Sequence, residues 1–383
     1  MTDAVKEMAA EFVRREVAPH LDDWEAAGEV PRELHAKAAE QGLLGLSFPE
    51  DVGGQGGDLL TSIAAMEGCF EAGASSGLMA ALFTSGIALP HIAASGSRDL
   101  VDRFVRPTLA GELIGSLAIT EPGGGSDVAG IRTTARRDGD EYVVDGGKTL
   151  ITSGVRADFV TTAVRTGDPG HAGVSLLVIE KGTPGFTVDR ALSTMGWHCS
   201  DTAELGFAGC RVPVANLVGE ENSGFHQIAE QFVVERLALA VHGYGIAARS
   251  LALTAAYARE RETFGKRLVD NQVVRHTLVE MRRQVEVARA YTHEVARRHV
   301  AGASQERHSV VAEACLAKQT AVECAAYVCD KAVQLHGGTG YLTGTEVERH
   351  YRDARILPIG GGATEVLTDL AARLMGFTAA ERT

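Results

Sequence analysis

The spacing of apolar residues changes character twice along the chain. Val5, Met8, Ala9, Phe12 and Val13 recur at intervals of three and four, the stripe of an amphipathic helix. Pro31 suits a first helical position and Gly42 a stop, which predicts a second helix between them. Pro49, Gly53, Gly54, Gly56 and Gly57 make a loop, after which helical spacing resumes over residues 58–111. The next segment consists of short strand-like runs. Residues 142–144 and 149–152 flank Asp145, Gly146 and Gly147, a pattern that predicts a hairpin. Residues 159–164 and 174–180 flank a second turn at 167–173, and further runs lie at 186–188 and 205–207. Beyond Gly224 the helical period returns over residues 225–261, 271–300 and 310–335, none of which contains proline. The expected fold is therefore α+β and mainly α. It has a helical domain over residues 1–111, an antiparallel β-barrel or sandwich over 112–224, and a four-helix bundle over 225–383.

At 383 residues the chain exceeds the size of one hydrophobic core. Its 45% hydrophobic and 23% charged residues are ordinary for a globular protein. Fifty acidic against 37 basic residues give a formal charge of -13, which opposes capture of nucleic acid but leaves room for a local anion site. The six cysteines form no C-x-x-C pair and no metal-ligand spacing with histidine, so they read as reduced, packed thiols and no metal is expected. The striped N-terminus lacks the continuous apolar run of a secretory signal, from which a cytoplasmic location is expected. Residues 237–258, the most apolar stretch beyond the N-terminal segment, are interrupted by His242 and Arg249; this predicts a buried helix rather than a membrane span.

Glycine clusters offer two nucleotide signals of unequal worth. Gly243-Tyr-Gly245-Ile-Ala-Ala248 imitates a dinucleotide fingerprint, but it lies inside a helical run with no strand before it, so close helix packing is the better reading. Ile119-Thr-Glu-Pro-Gly-Gly-Gly-Ser-Asp127 sits where the first helical segment meets the strands. Its glycines free backbone N–H groups for an anion and Ser126 adds a hydroxyl, although, read alone, an ordinary tight loop is the better reading.

The segment Thr120-Glu-Pro-Gly-Gly-Gly-Ser-Asp127 resembles the flavin-binding signature of the acyl-CoA dehydrogenase family, and further matches follow in order. Gly147-Lys-Thr-Leu-Ile-Thr-Ser-Gly154 resembles the strand beside the flavin. Arg261-Glu-Thr-Phe-Gly265 with Gln272 resembles the segment that meets the FAD pyrophosphate of a neighbouring subunit. Gln334-Leu-His-Gly-Gly-Thr-Gly-Tyr341 and Arg352-Asp-Ala-Arg355 complete the set, and the similarity spans nearly the whole chain. The resemblance implies a helical, β, four-helix-bundle architecture, FAD as cofactor, an acyl-CoA substrate, a homotetramer, and an electron-transferring flavoprotein as acceptor. No nucleic acid or membrane partner is implied.

The reaction implied removes a proton from the α carbon of a thioester while the β carbon loses hydride, so a carboxylate base is required. In many relatives that glutamate follows the Asp-Ala-Arg motif, where this chain has Gly361 within Ile359-Gly-Gly-Gly-Ala-Thr-Glu-Val366. A second branch, typified by isovaleryl-CoA and long-chain enzymes, is similar in carrying the glutamate on a bundle helix before Arg-Leu; here that motif is Val234-Glu-Arg-Leu237. By this resemblance Glu235 is the base, with Leu239 and His242 or Gly243 on its helix face, while Gly361 keeps a backbone N–H for the thioester carbonyl. The lesser reading is a structural glutamate in a salt bridge.

Carried over on the same motifs, Ile119, Thr120, Gly125, Ser126, Ile151 and Thr152 line the FAD within a subunit. Arg261, Phe264, Gln272, Gln334, Gly337, Gly338 and Thr364 are further cofactor contacts, several from a neighbour, and Arg236 and Gly360 lie at the substrate. Leu150 stands where many relatives place an aromatic residue over the flavin, and Ala363 replaces a frequent threonine. Three other readings share the fold: a dehydrogenase of carrier-protein-tethered thioesters, an oxidase passing electrons to oxygen, and a non-catalytic member.

Overall fold

The computed structural model describes residues 2–302 and 307–377. The helices that matter here are α1 (Thr2–Phe12), α2 (Glu33–Glu40), α3 (Leu59–Glu71), α4 (Gly224–Glu260), α5 (Gln272–Val300), α6 (Arg307–His336), α7 (Glu346–Ala354) and α8 (Thr364–Leu374). Seven strands lie between α3 and α4: β1 (Gly115–Ala118), β2 (Thr134–Asp138), β3 (Glu141–Thr152), β4 (Phe159–Arg165), β5 (Val174–Glu180), β6 (Phe186–Ala191) and β7 (Thr202–Pro213). The chain forms two compact units. One comprises Met1–Asp22, Asp58–Ser76 and Val233–Thr383, and the other Asp23–Gly57 and Gly77–Phe232.

In the second unit the strands run in the order β1-β4-β2-β3-β7-β6, with β5 also on β4. The β4–β5 pairing across residues 167–173 and the β6–β7 pairing agree with the strand runs read from the sequence. Two departures stand out. The sheet is mixed, because β1 pairs with β4 in parallel. The hairpin expected at Asp145 to Gly147 does not exist, since β3 is one 12-residue strand running straight through these residues. Its pairing with β7 shifts register between Val144 and Gly146 and again between Lys148 and Ile151. Glycine serves a bulge here rather than a turn. Gly146 has φ +144, and an added Cβ would stand 2.7 Å from Thr133 Cα. The reversal falls earlier, at Gly139 between β2 and β3, which pair antiparallel. Alternate residues of these strands (Tyr142, Val144, Val160, Leu177, Leu205) fill the sheet core.

The first unit is helical. Gly68 on α3 lets α1 approach so closely that a Cβ there would meet the Lys6 carbonyl oxygen at 2.1 Å. On α4, an added Cβ on Gly243 would lie 2.8 Å from the Ala321 oxygen of α6, and one on Gly245 2.4 Å from the Phe70 ring of α3. These glycines mark helix crossings, as their place in a helical run suggests. By length and hydropathy α4 would pass for a membrane span, yet 67% of its most apolar window is buried inside the fold. Glu67 on α3 is a buried hub that accepts from Arg289 (2.8 Å), His293 (2.9 Å) and the Tyr244 hydroxyl (3.0 Å). All six cysteines are buried and unbridged.

Candidate active site

Glu235 projects from α4, one turn before Leu239 and two before His242. Against it lies the loop joining α7 to α8. A Cβ placed on Gly361 would stand 3.2 Å from Glu235 Oε1 and 2.2 Å from Leu239 Cδ1, so the space a side chain at 361 would claim is already taken. Gly361 and Gly362 have φ +61 and +100, conformations that favour glycine. Glu235 is half-buried and, among the described residues, forms no ion pair and accepts no hydrogen bond. Burial pushes its carboxyl above the usual carboxylate value, while the charges of Arg236 and Lys318 act in the opposite sense. His242 is buried, 2.9 Å from the Ser76 hydroxyl, and burial pushes its imidazole down to about 4, so it is neutral at pH 7.

The glycine loop is tied down from α6. Lys318 Nζ donates to the carbonyl oxygens of Gly360 and, at 2.7 Å, Gly362. Gln319 donates to the Thr364 oxygen at 3.0 Å and to the Thr368 hydroxyl at 2.6 Å. The Thr364 hydroxyl turns back onto the Pro358 oxygen at 3.3 Å. Arg236 is 5% exposed, so little of it is open to an external ligand. Sequence reasoning missed Lys318, because one lysine in a long helical run reads as a solvated position. Its flanking residues Ala314, Cys315, Ala317, Ala321 and Val322 were the available signal for a buried face.

In the sheet-bearing unit, the glycine-rich loop is anchored by a residue that sequence reasoning passed over. Glu121 is buried and accepts from Lys148 Nζ (2.8 Å) and from the backbone N–H groups of Arg132 (2.7 Å) and Thr133 (2.9 Å). Burial would raise this carboxyl, but Lys148, Thr133 and Arg132 outweigh it and hold the group at about 2. Lys148 also donates to the Ile119 oxygen at 3.0 Å, and the Thr149 N–H to the Thr120 oxygen at 2.9 Å. Beyond this anchor residues 122–127, including Gly125 and Ser126, are exposed. Nothing lies within 4 Å of a Cβ built on Gly123 or Gly124. Open backbone on a fixed base suits a cofactor phosphate. Thr152 is half-buried and its carbonyl accepts from the Ser116 hydroxyl at 2.6 Å. Ile151 directs its side chain into the sheet core, and Leu150 is 61% exposed with φ +59.

The remaining cofactor candidates gather at one corner of the helical unit. Arg261 follows α4, Phe264 and Gly265 form the tip of a two-residue-stranded hairpin (Glu262–Thr263 with Lys266–Arg267), and Gln272 opens α5. Gln334, Gly337 and Gly338 lie at the end of α6, where His336 stacks on Tyr257 of α4 at 4.4 Å. Arg261, Phe264, Gln272, Gln334, Gly337 and Gly338 are all exposed.

The order of helices, sheet and helices, the anchored glycine loop of one unit and the half-buried carboxylate of the other each suit a flavin-dependent oxidoreductase of CH–CH bonds, the class that the comparisons give. Family models for the acyl-CoA dehydrogenase N-terminal, middle and C-terminal domains match residues 2–112, 116–210 and 222–376. The chain belongs to the acyl-CoA dehydrogenase family, whose members are FAD-dependent flavoproteins. It is 37% identical over 380 residues to the long-chain specific acyl-CoA dehydrogenase, mitochondrial, of Rattus norvegicus, covering 97% of this chain and 85% of that one. Crystal structures of acyl-CoA dehydrogenases from Mycobacterium smegmatis (57% identity, TM-score 0.96, 98% of each chain) and Mycobacterium abscessus (59%, 0.95, 97% and 98%) share its fold.

Proposed function

We propose that this chain converts a saturated acyl-CoA thioester into its trans-2-enoyl-CoA, with Glu235 as the base. The observation that carries the proposal is the 3.2 Å approach of Glu235 Oε1 to the point where a Cβ of residue 361 would stand. Glu235 takes the α proton onto its carboxylate as the α C–H bond breaks. Its raised proton affinity brings it nearer working pH and strengthens it as an acceptor. The Gly361 N–H donates to the thioester carbonyl, stabilising the negative charge that grows there, and Gly360 leaves the approach free of side-chain bulk. Bound FAD supplies the acceptor for the β hydrogen and its electron pair. Ile119, Thr120, Gly125, Ser126, Ile151 and Thr152 would hold it within the subunit, Ile151 through its backbone. Arg261, Phe264, Gln272, Gln334, Gly337 and Gly338 would serve a neighbouring subunit. Exposed Phe264, Val273, Tyr341 and Leu342 at that corner support a homotetramer. Anaerobic mixing of Glu235→Gln with acyl-CoA tests the base: flavin content should match wild type while substrate-driven bleaching disappears, and undiminished bleaching would refute it.

A second reading, desaturation of a carrier-protein thioester, is supported by the 29% identity and TM-score 0.91 to the prolyl acyl carrier protein oxidase over 98% of both chains. Both thioesters present the same pantetheine arm, so bleaching by CoA and carrier-protein forms of one acyl group separates them. An electron-transferring flavoprotein as acceptor is supported by 31% identity to a subunit of the caffeyl-CoA reductase-Etf complex of Acetobacterium woodii. A cytoplasmic location is part of the same proposal.

A further inference from the structure

Lys318 is a buried ammonium with no carboxylate within ion-pair distance among the described residues. It is 1% exposed, and its Nζ is spent on the two carbonyl oxygens that bracket Gly361. Burying an ammonium is strongly unfavourable unless good partners replace its water. An arrangement so demanding for the sole purpose of closing a surface loop would be outperformed by an apolar side chain. The geometry of the peptide unit supplies the reason for a charge. The Gly360 carbonyl and the Gly361 N–H belong to one planar trans amide, so they point in opposite directions along it. A cation on the oxygen draws electron density through the amide and makes the N–H at its other end a stronger donor.

We propose that Lys318 is a positioning residue for the dehydrogenation: by clamping the Gly360 and Gly362 carbonyls it fixes and polarises the Gly361 N–H, and its charge favours the carboxylate form of the nearby Glu235. The inference rests on the reading of Glu235 as base and Gly361 as carbonyl donor. The charged groups acting on Glu235 are few. Arg236 comes from its own helix and Lys318 from α6, whereas Cys315 of α6 is held as the uncharged thiol by burial. On α8, Glu365 and Asp369 are exposed. Burial pushes Lys318 down to about 8, with Glu235 opposing and Arg236 reinforcing the fall, so at pH 7 it remains mostly cationic. Two effects follow from one side chain. The clamp governs how well the thioester carbonyl is polarised, and the charge governs the pH at which the base becomes competent.

The test uses the FAD-loaded enzyme and 3-thiaoctanoyl-CoA, whose β position is sulfur and has no hydride to give. Exchange of its α hydrogens in D2O, followed by NMR, therefore reports proton removal without flavin reduction. Lys318→Met should slow exchange roughly 100-fold, the effect of losing an oxyanion donor. It should also move the acid limb of the exchange profile up by about one pH unit, because an opposing charge has gone. Lys318→Gln, which donates to a carbonyl without charge, should recover part of the rate yet show the same displaced limb. Flavin absorbance and melting temperature establish that each variant is folded. A limb at the wild-type pH in whichever variant folds overturns the proposal, as does failure of both to fold with flavin, which would make Lys318 a structural clamp alone. Glu235→Gln, run alongside, should show no exchange at any pH. If it exchanges normally, the base reading fails independently of the Lys318 result.

Discussion

Glu235 and Gly361, 126 positions apart in sequence, meet closely: the carboxylate of the first stands 3.2 Å from where a side chain of the second would begin. Gly361→Ala should therefore lower turnover by about tenfold or more. The new Cβ would sit 2.2 Å from Leu239 Cδ1, and φ +61 costs a non-glycine residue about 1 kcal/mol. Adding Leu239→Ala should relieve the clash and recover part of the loss. Steady-state kinetics of the single and double variants, with flavin content as control, check this; equal kcat in wild type and Gly361→Ala would remove the steric argument.

The Glu121–Lys148 pair sets the base of the glycine loop and is almost wholly withdrawn from water, with side-chain exposures of 9% and 0%. Glu121→Gln leaves a buried cation short of its carboxylate, a change that costs about 3 kcal/mol in comparable sites. The expected outcome is a lower melting temperature and FAD lost on gel filtration. Glu121→Gln with Lys148→Met together should restore more stability than flavin affinity, since the loop anchor stays absent. Calorimetry and flavin fluorescence separate the two quantities.

Acid should destabilise the protein in two stages. Burial holds His242 and His91 at about 4 against an ordinary 6.5, so the unfolded chain binds these protons first and stability falls as pH drops from 6.5 towards 4. Glu67 and Glu346 behave as depressed carboxyls. Burial would raise them, but His293 with Arg289, and His350 with Arg249, hold each at about 2 against 4.5. Their contribution is complete above pH 4.5 and disappears as pH falls towards 2. Melting temperature against pH should show both slopes, and Glu67→Gln should flatten the lower one while costing roughly 3 kcal/mol at neutrality.

Gly245 on α4 tests the helix crossing. Gly245→Ala would drive a methyl to 2.4 Å from the Phe70 ring and should cost about 1–3 kcal/mol by overpacking. Phe70→Leu in the same chain should return part of that loss, measurable as melting temperature; an unchanged melting temperature for Gly245→Ala would argue that the crossing yields.

How far these features were legible in advance depends on where their causes lie. The long helices α4, α5 and α6 announce themselves, because uninterrupted apolar spacing without proline admits little else. The β3 bulge did not, since Asp145-Gly146-Gly147 satisfies turn chemistry equally well and only the β7 pairing and the approach of Thr133 decide between them. Glu235 and Gly361 were reached only through the family resemblance, the first by its Arg-Leu context and the second by its place after Asp-Ala-Arg; the sequence held no sign that the two approach each other. Lys318 and Glu121 escaped notice for a shared reason: each is a charged residue whose burial is made by distant segments, and local pattern assigns charge to the surface.

The six enclosed cysteines have a practical consequence for whoever labels this enzyme. Burial raises Cys69, Cys324 and Cys329 to about 12 and Cys210 to about 11, so at neutral pH almost none of their sulfur is present as reactive thiolate. A single cysteine introduced at an exposed site would carry a maleimide dye or spin probe against a silent background, with no native thiol first having to be engineered out.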